Sequence, residues 1–145
     1  MRALVQRVTS ASVTVENEIV GEIEKGLCVF VGVTHTDSEP TSAKLATKLW
    51  NLRLFEDDQG VPNLSTADLN LPLLIVSQFT LYGDTSGGRR PSWINAARPE
   101  QAQPLIETLI QRLKELGANV ETGRFQAEMK VSLVNDGPFT LTVEI

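Results

Sequence analysis

The sequence predicts an α+β fold: a curved, barrel-like, mainly antiparallel β-sheet with two or three helices packed outside it. Three observations predict it. The opening third carries runs of β-branched residues broken by turn residues; two later stretches repeat apolar residues at helical spacing; and the chain finishes in two further strand-like runs.

Residues 1–8, 12–16, 18–23 and 26–34 read as strands, with Asn17 and Lys25-Gly26 as turn points, which makes an antiparallel meander. Asp37-Ser38-Glu39-Pro40 then supplies capping oxygens and an early proline. Leu45, Leu49 and Leu52 follow at helical spacing beside Ala46 and Trp50, so a helix is expected at about 39–51. Residues 52–56 resume as a strand, Asp57-Asp58-Gln59-Gly60 is a turn, residues 73–80 read as a buried strand ending in polar residues, and residues 83–91 form a loop. A second helix runs from Pro99 to Gly117, and its stripe of Leu105, Ile106, Leu109, Ile110, Leu113 and Leu116 is core rather than a binding groove. Two strands, 129–134 and 139–145, close the chain, joined through Asn135-Asp136-Gly137-Pro138.

No linker, repeat or low-complexity tract divides the sequence, so residues 1–145 are expected to form one domain with one core. Hydrophobic residues are 41% and charged residues 21%, ordinary globular usage. The longest apolar runs, 27–33 and 71–76, are strand-sized and too short to span a bilayer. Arg2 and Arg7 stand where a signal peptide would need its apolar run, so a cytoplasmic location is expected. The single cysteine, Cys28, fits a reducing compartment and reads as buried filler. A net charge of −5 is awkward for a nucleic-acid partner, so any phosphate contact must be local.

Exclusion narrows the chemistry. One histidine, His35, and one thiol cannot make a zinc site of several Cys/His ligands, and no metal or cofactor is expected. His35 reads as an exposed loop residue rather than a catalytic base. No nucleophile elbow, Walker loop or dinucleotide fingerprint occurs. The carboxylates fall in turns and on helix faces, as solvated charge does. What remains is the hydroxyl and amide patch Ser77-Gln78-Phe79-Thr80 at a strand end, and the Gly137-Pro138 turn. Each alone reads as a strand leaving the core and an ordinary turn.

Together they carry more. Ser77-Gln78-Phe79-Thr80-Leu81 and Asn135-Asp136-Gly137-Pro138-Phe139-Thr140 resemble the two signature motifs of the D-aminoacyl-tRNA deacylase family. The stretches Gln6-Arg7-Val8, Ala11-Ser12-Val13-Thr14-Val15, Asn51-Leu52-Arg53, Gly88-Arg89-Arg90-Pro91-Ser92, Glu121-Thr122-Gly123-Arg124-Phe125 and Val131-Ser132-Leu133-Val134 are similar to it in the same order, so the resemblance spans the chain. Three positions depart from the usual pattern: Phe139 after the Gly-Pro pair, Trp93, and Ser86-Gly87, where a basic residue is common.

The resemblance implies the family's fold and a homodimeric enzyme that hydrolyses D-aminoacyl-tRNA. Each of two composite sites would use Ser77, Gln78, Phe79 and Thr80 of one subunit and a cis Gly137-Pro138 turn of the other. With the ammonium and ester fixed, an L side chain would strike that turn and a D side chain would point outward; glycine could slip through. Met129 would stand beside the substrate, Arg7 would hold the turn's orientation, and Arg89 and Arg90 would meet tRNA phosphates, the partner being tRNA rather than DNA or membrane. Backbone amides near Phe79 and Thr80 are candidate oxyanion donors. Thr80 could act as a nucleophile, but no histidine or lysine lies close in sequence to activate it, so catalysis assisted by the terminal 2′-hydroxyl is favoured, with Gln78 and Thr80 orienting the pocket. Two rivals stand beside this reading: a related deacylase with a trans Gly-Pro bond that accepts small L-amino acids, against which Arg7 argues, and a catalytically idle RNA-binding dimer.

Overall fold

Strand β1, Arg2–Val15, organises the molecule because it is hydrogen-bonded along both edges. Its computed structural model describes all of residues 1–145. On one edge β3 (Gly26–Gly32) pairs with the first half of β1 and β2 (Glu18–Ile23) with the second, both antiparallel. On the other edge β8, Lys130–Glu144, runs antiparallel to nearly its whole length. The expected break between residues 8 and 12 is absent: the exposed Thr9 and Ser10 interrupt the apolar pattern, but the ladder on either side carries the chain through. The closing pair of strands is likewise one strand.

The sheet continues from β3 to β6 (Leu73–Ser77) and then to β7 (Val120–Thr122), and both pairings are parallel. Helix α1, Glu39–Trp50, lies in the connection from β3 to β6, and α3, Pro99–Glu115, in that from β6 to β7. Parallel neighbours need such crossovers, and the sheet is therefore mixed rather than a meander. At the far side β2 returns towards β7, where Gly21 lies so close to the carbonyl of Thr122 that a Cβ would overlap it. This approach nearly closes the barrel. Within the first crossover, between α1 and β6, β4 (Arg53–Glu56), β5 (Pro62–Ser65) and the short α2 (Thr66–Leu69) form a small hairpin unit, of which only the first strand was expected.

Two cores explain why the runs at 27–33 and 71–76 are continuously apolar: neighbouring residues on β3 and β6 face opposite sides, and both sides are covered. Leu27, Val29, Val31, Leu73 and Ile75 pack towards α1 and α3, meeting Leu45, Leu49, Leu105 and Leu109. Cys28, Leu74 and Val76 face the barrel interior with Val8, Val13 and Ile23. Cys28 is filler there, and burial pushes its thiol up to about 12, so it stays protonated at neutral pH. No helix is long and apolar enough to cross a membrane.

Candidate active site

The site starts where β6 runs out of partners. Ser77 is the last residue paired with β3, opposite Val31, and the Gln78 N–H donates to the Val31 carbonyl at 2.8 Å. The strand expected to continue to residue 80 stops there, and Phe79–Tyr82 form a single 3₁₀ turn. Gly32 on β3 makes this possible, because a Cβ there would lie 3.1 Å from the Gln78 carbonyl and from the Tyr82 ring. Arg2 braces the far end, donating to the Leu81 carbonyl at 2.6 Å with its guanidinium 4.9 Å above the Tyr82 ring. In the turn, Leu81 is the first N–H to bond back, to the Gln78 carbonyl at 3.3 Å, so the Phe79 and Thr80 amides point away without an intrahelical acceptor. The Gln78 side-chain amide donates to the Thr80 hydroxyl. An amide is no base, so this contact orients Thr80 without activating it.

A cavity of about 640 Å³ opens beside this turn. Ser77, Gln78 and Phe79 form one wall and Phe125, Met129 and Val131 another. Gln126, at φ 61°, turns the chain so that Met129 comes back over Gly123, where a Cβ would stand 2.5 Å from the methionine sulfur. The third wall is Trp93, Ala96 and Ala97, backed by Ala102 and Ile106 of α3, so part of the stripe expected to be pure core also faces the cavity. That wall is docked on the end of β3. Ala97 N–H donates to the Val33 carbonyl at 2.9 Å, Thr34 Oγ1 donates to Asn95 O at 2.6 Å, and His35 Nε2 donates to Ile94 O at 2.8 Å. His35 is exposed and is a clamp on a loop. Trp93 meets Phe79 edge-on with centroids 5.6 Å apart, its ring lying over Gly83, where a Cβ would overlap it. No lysine, arginine, histidine or carboxylate lines the cavity.

Gly137 and Pro138 lie elsewhere in the chain. Gln6 faces Thr140 and Val8 faces Asn135, so two steps along β1 match five along β8, and residues 136–139 bulge out of the ladder. The Gly137–Pro138 peptide is cis and both residues are exposed. Arg7 holds the bulge. Its Nε donates to the Asp136 carbonyl at 3.2 Å and lies 3.0 Å from the Asp136 carboxylate, Nη1 donates to Leu54 O at 2.8 Å, and the guanidinium sits 4.2 Å from the Phe139 ring centroid. Only 6% of Arg7 is exposed, so the guanidinium lies buried beneath the bulge.

The register separates the turn from the 3₁₀ turn. Arg7 pairs with Leu27 and Leu27 with Leu73, four residues short of Ser77. Along the sheet that is roughly 13 Å lengthwise and three strand spacings, about 14 Å, across. Ser77, Gln78, Phe79 and Met129 line one cavity and Thr80, exposed and bonded to Gln78 in the same turn, lies off its lining, while Gly137, Pro138 and Arg7 form a second feature. Arg89 and Arg90 are exposed in a loop pinned at its base by reciprocal Asp84–Ser92 backbone bonds of 2.8 Å, and neither takes part in an ion pair. Sequence reasoning gave no role to Phe125, Gln126 or Asn135; the glycines beneath Met129 and Trp93 were the available signals.

A family model described as D-Tyr-tRNA(Tyr) deacylase matches residues 4–144. Among curated relatives, the D-aminoacyl-tRNA deacylase of Streptomyces coelicolor is 54% identical over 100% of both chains, and that of Brevibacillus brevis 55% identical over 99% of both. Among solved structures, a c-Myc DNA unwinding element binding protein superposes with a TM-score of 0.91 at 37% identity, covering 100% of this chain and 99% of the other. A probable eukaryotic D-amino acid tRNA deacylase superposes at 0.86 with 16% identity over 99% of this chain and 98% of the other, a likeness of fold.

Proposed function

Because the chain belongs to the D-Tyr-tRNA(Tyr) deacylase family, we propose that the neutral cavity at the end of β6 receives the aminoacylated 3′ end of a tRNA and that the RNA itself assists the cleavage. The chain is a D-aminoacyl-tRNA deacylase, a hydrolase that splits the ester between tRNA and a D-amino acid. The observation that carries the mechanism is the absence of any titratable side chain on the cavity walls. An aminoacyl ester is already activated, so its hydrolysis needs a held water and donors for the developing oxyanion more than a strong protein base. The free Phe79 and Thr80 amides are those donors, Gln78 and Thr80 orient the ester, and the terminal 2′-hydroxyl manages the proton.

The site is completed by a second copy. Gly137–Pro138 cannot reach the 3₁₀ turn of its own chain along the sheet, and its exposed tip suits insertion into the cavity of a two-fold partner. There its backbone rejects L side chains by overlap and leaves D side chains unread. Glycine passes the same test, so glycyl-tRNA is a further substrate. Arg89 and Arg90 supply the local positive charge that a chain of net −5 otherwise lacks, and they meet phosphates of the acceptor end in the cytoplasm.

Hydrolysis of matched D- and L-tyrosyl-tRNA by the wild type and by Thr80→Ala tests this. The D-ester is expected to be cleaved and the L-ester spared. Thr80→Ala should retain about a tenth of the rate, the scale of one lost orienting hydrogen bond. A folded Thr80→Ala enzyme with no activity would make Thr80 the nucleophile, and a D-ester ending in 2′-deoxyadenosine cleaved at the normal rate would end the role of the RNA hydroxyl.

A further inference from the structure

Where residues 136–139 leave the ladder, β1 loses its backbone partners on that edge. A side chain replaces them. Asn135 Nδ2 donates to the Arg7 carbonyl at 2.9 Å, standing in for the missing ladder bond, and also to the Phe139 carbonyl at 3.2 Å on the opposite leg of the turn. Its Oδ1 accepts from Thr140 Oγ1 at 3.3 Å, and that hydroxyl in turn accepts from Gln6 Nε2 at 3.0 Å. Asn135 therefore hydrogen-bonds both legs of the bulge to each other and to β1, while Arg7 grips only the first residue beyond it through Asp136 and faces the Phe139 ring.

We propose that Asn135 is a positioning residue that sets the aim of the Gly137–Pro138 tip and thereby the preference between D- and L-aminoacyl esters. The inference rests on the reading that this tip discriminates the two hands. Residues 137 and 138 project beyond the Asn135–Phe139 link with little of their own chain around them: a Cβ on Gly137 would find only Asn135 Oδ1, at 3.7 Å. A tip so placed inherits its direction from its base. Loosening the base lets the tip swing, and exclusion by overlap tolerates little swing, because repulsion falls away within a fraction of an ångström.

Asn135→Asp keeps the size and one acceptor but sets an oxygen against the Arg7 and Phe139 carbonyls; Asn135→Ala removes every bond. Rates on D- and L-tyrosyl-tRNA, with a thermal melt of each variant, give the test. The ratio of D to L hydrolysis is expected to fall about tenfold or more, chiefly because L hydrolysis rises, while both variants melt as folded proteins. A ratio unchanged from wild type, or equal loss on both hands, would overturn the proposal. Where neither variant folds, Thr140→Val, which removes the support for Oδ1 together with the exposed Gln6 bond, is read on the same ratio, and an unchanged ratio again overturns it. A wild-type enzyme that cleaves both hands alike would instead remove the underlying reading of the tip.

Discussion

Gly137→Ala is expected to lower hydrolysis of D-aminoacyl-tRNA at least about a hundredfold while leaving the protein as stable as before or slightly more so, the scale on which a 1 Å misplacement of reacting groups acts. Nothing within the chain demands glycine there. Gly137 is absent from the left-handed region that Gly60, Gly88 and Gly117 occupy, and an added methyl would meet no atom closer than 3.7 Å. Several other glycines have visible reasons: at Gly26 a Cβ would overlap the Pro72 carbonyl, and at Gly123 it would press on Met129. On the reading that this tip enters a partner's site, the missing side chain leaves room for the substrate. Alanine at such a position narrows the unfolded ensemble and adds about 0.4–1 kcal/mol. Single-turnover hydrolysis beside a thermal melt separates the two effects. Full activity in a folded Gly137→Ala enzyme would mean that the tip touches no substrate.

Arg7→Met is expected to have the largest effect on stability, a loss of about 3 kcal/mol, because it leaves the Leu54 carbonyl and the Asp136 carboxylate without their shared partner. For a chain of this size that is a fall of roughly 6–12 °C in melting temperature. Asp136 is partly exposed, which keeps the figure below that of a fully buried pair. Arg7→Lys is not a rescue: an ammonium cannot span both oxygens or lie flat against the Phe139 ring as a guanidinium does. Its charge is kept and its aim is lost, so it should melt between the other two proteins and cleave L-esters that the wild type is expected to spare. Equal melting of Arg7→Met and wild type would show that the clamp contributes nothing.

The helices were legible because their signals are local. Ser38 before Pro40, and Pro99 before a stripe spaced by three and four, set the starts of α1 and α3, and the observed starts agree. Strand partners were not legible: the runs at 27–33 and 71–76 announce burial on two faces but not that β3 and β6 lie side by side in parallel, which the helix between them dictates. The same limit hid the continuity of β1 and of β8, since one long ladder overrides Thr9-Ser10 and the bulge at 136–139. At the site, pattern alone made Ser77 to Thr80 a strand end and Gly137-Pro138 a turn; the resemblance linked them. Pattern could not place Arg7, because an arginine in a β-run looks the same at a sheet edge as beneath a bulge.

The two tryptophans occupy unlike surroundings. Trp50 is sealed in the helix-facing core, whereas Trp93 lines the cavity with much of its ring in water and its edge towards Phe79. Indole emission follows local polarity, so filling the cavity should shift and reshape the fluorescence of Trp93 and leave that of Trp50 as an internal constant. The protein thus carries its own optical gauge of occupancy, and titrating uncleavable adenosine esters against that emission would report binding before any bond is broken.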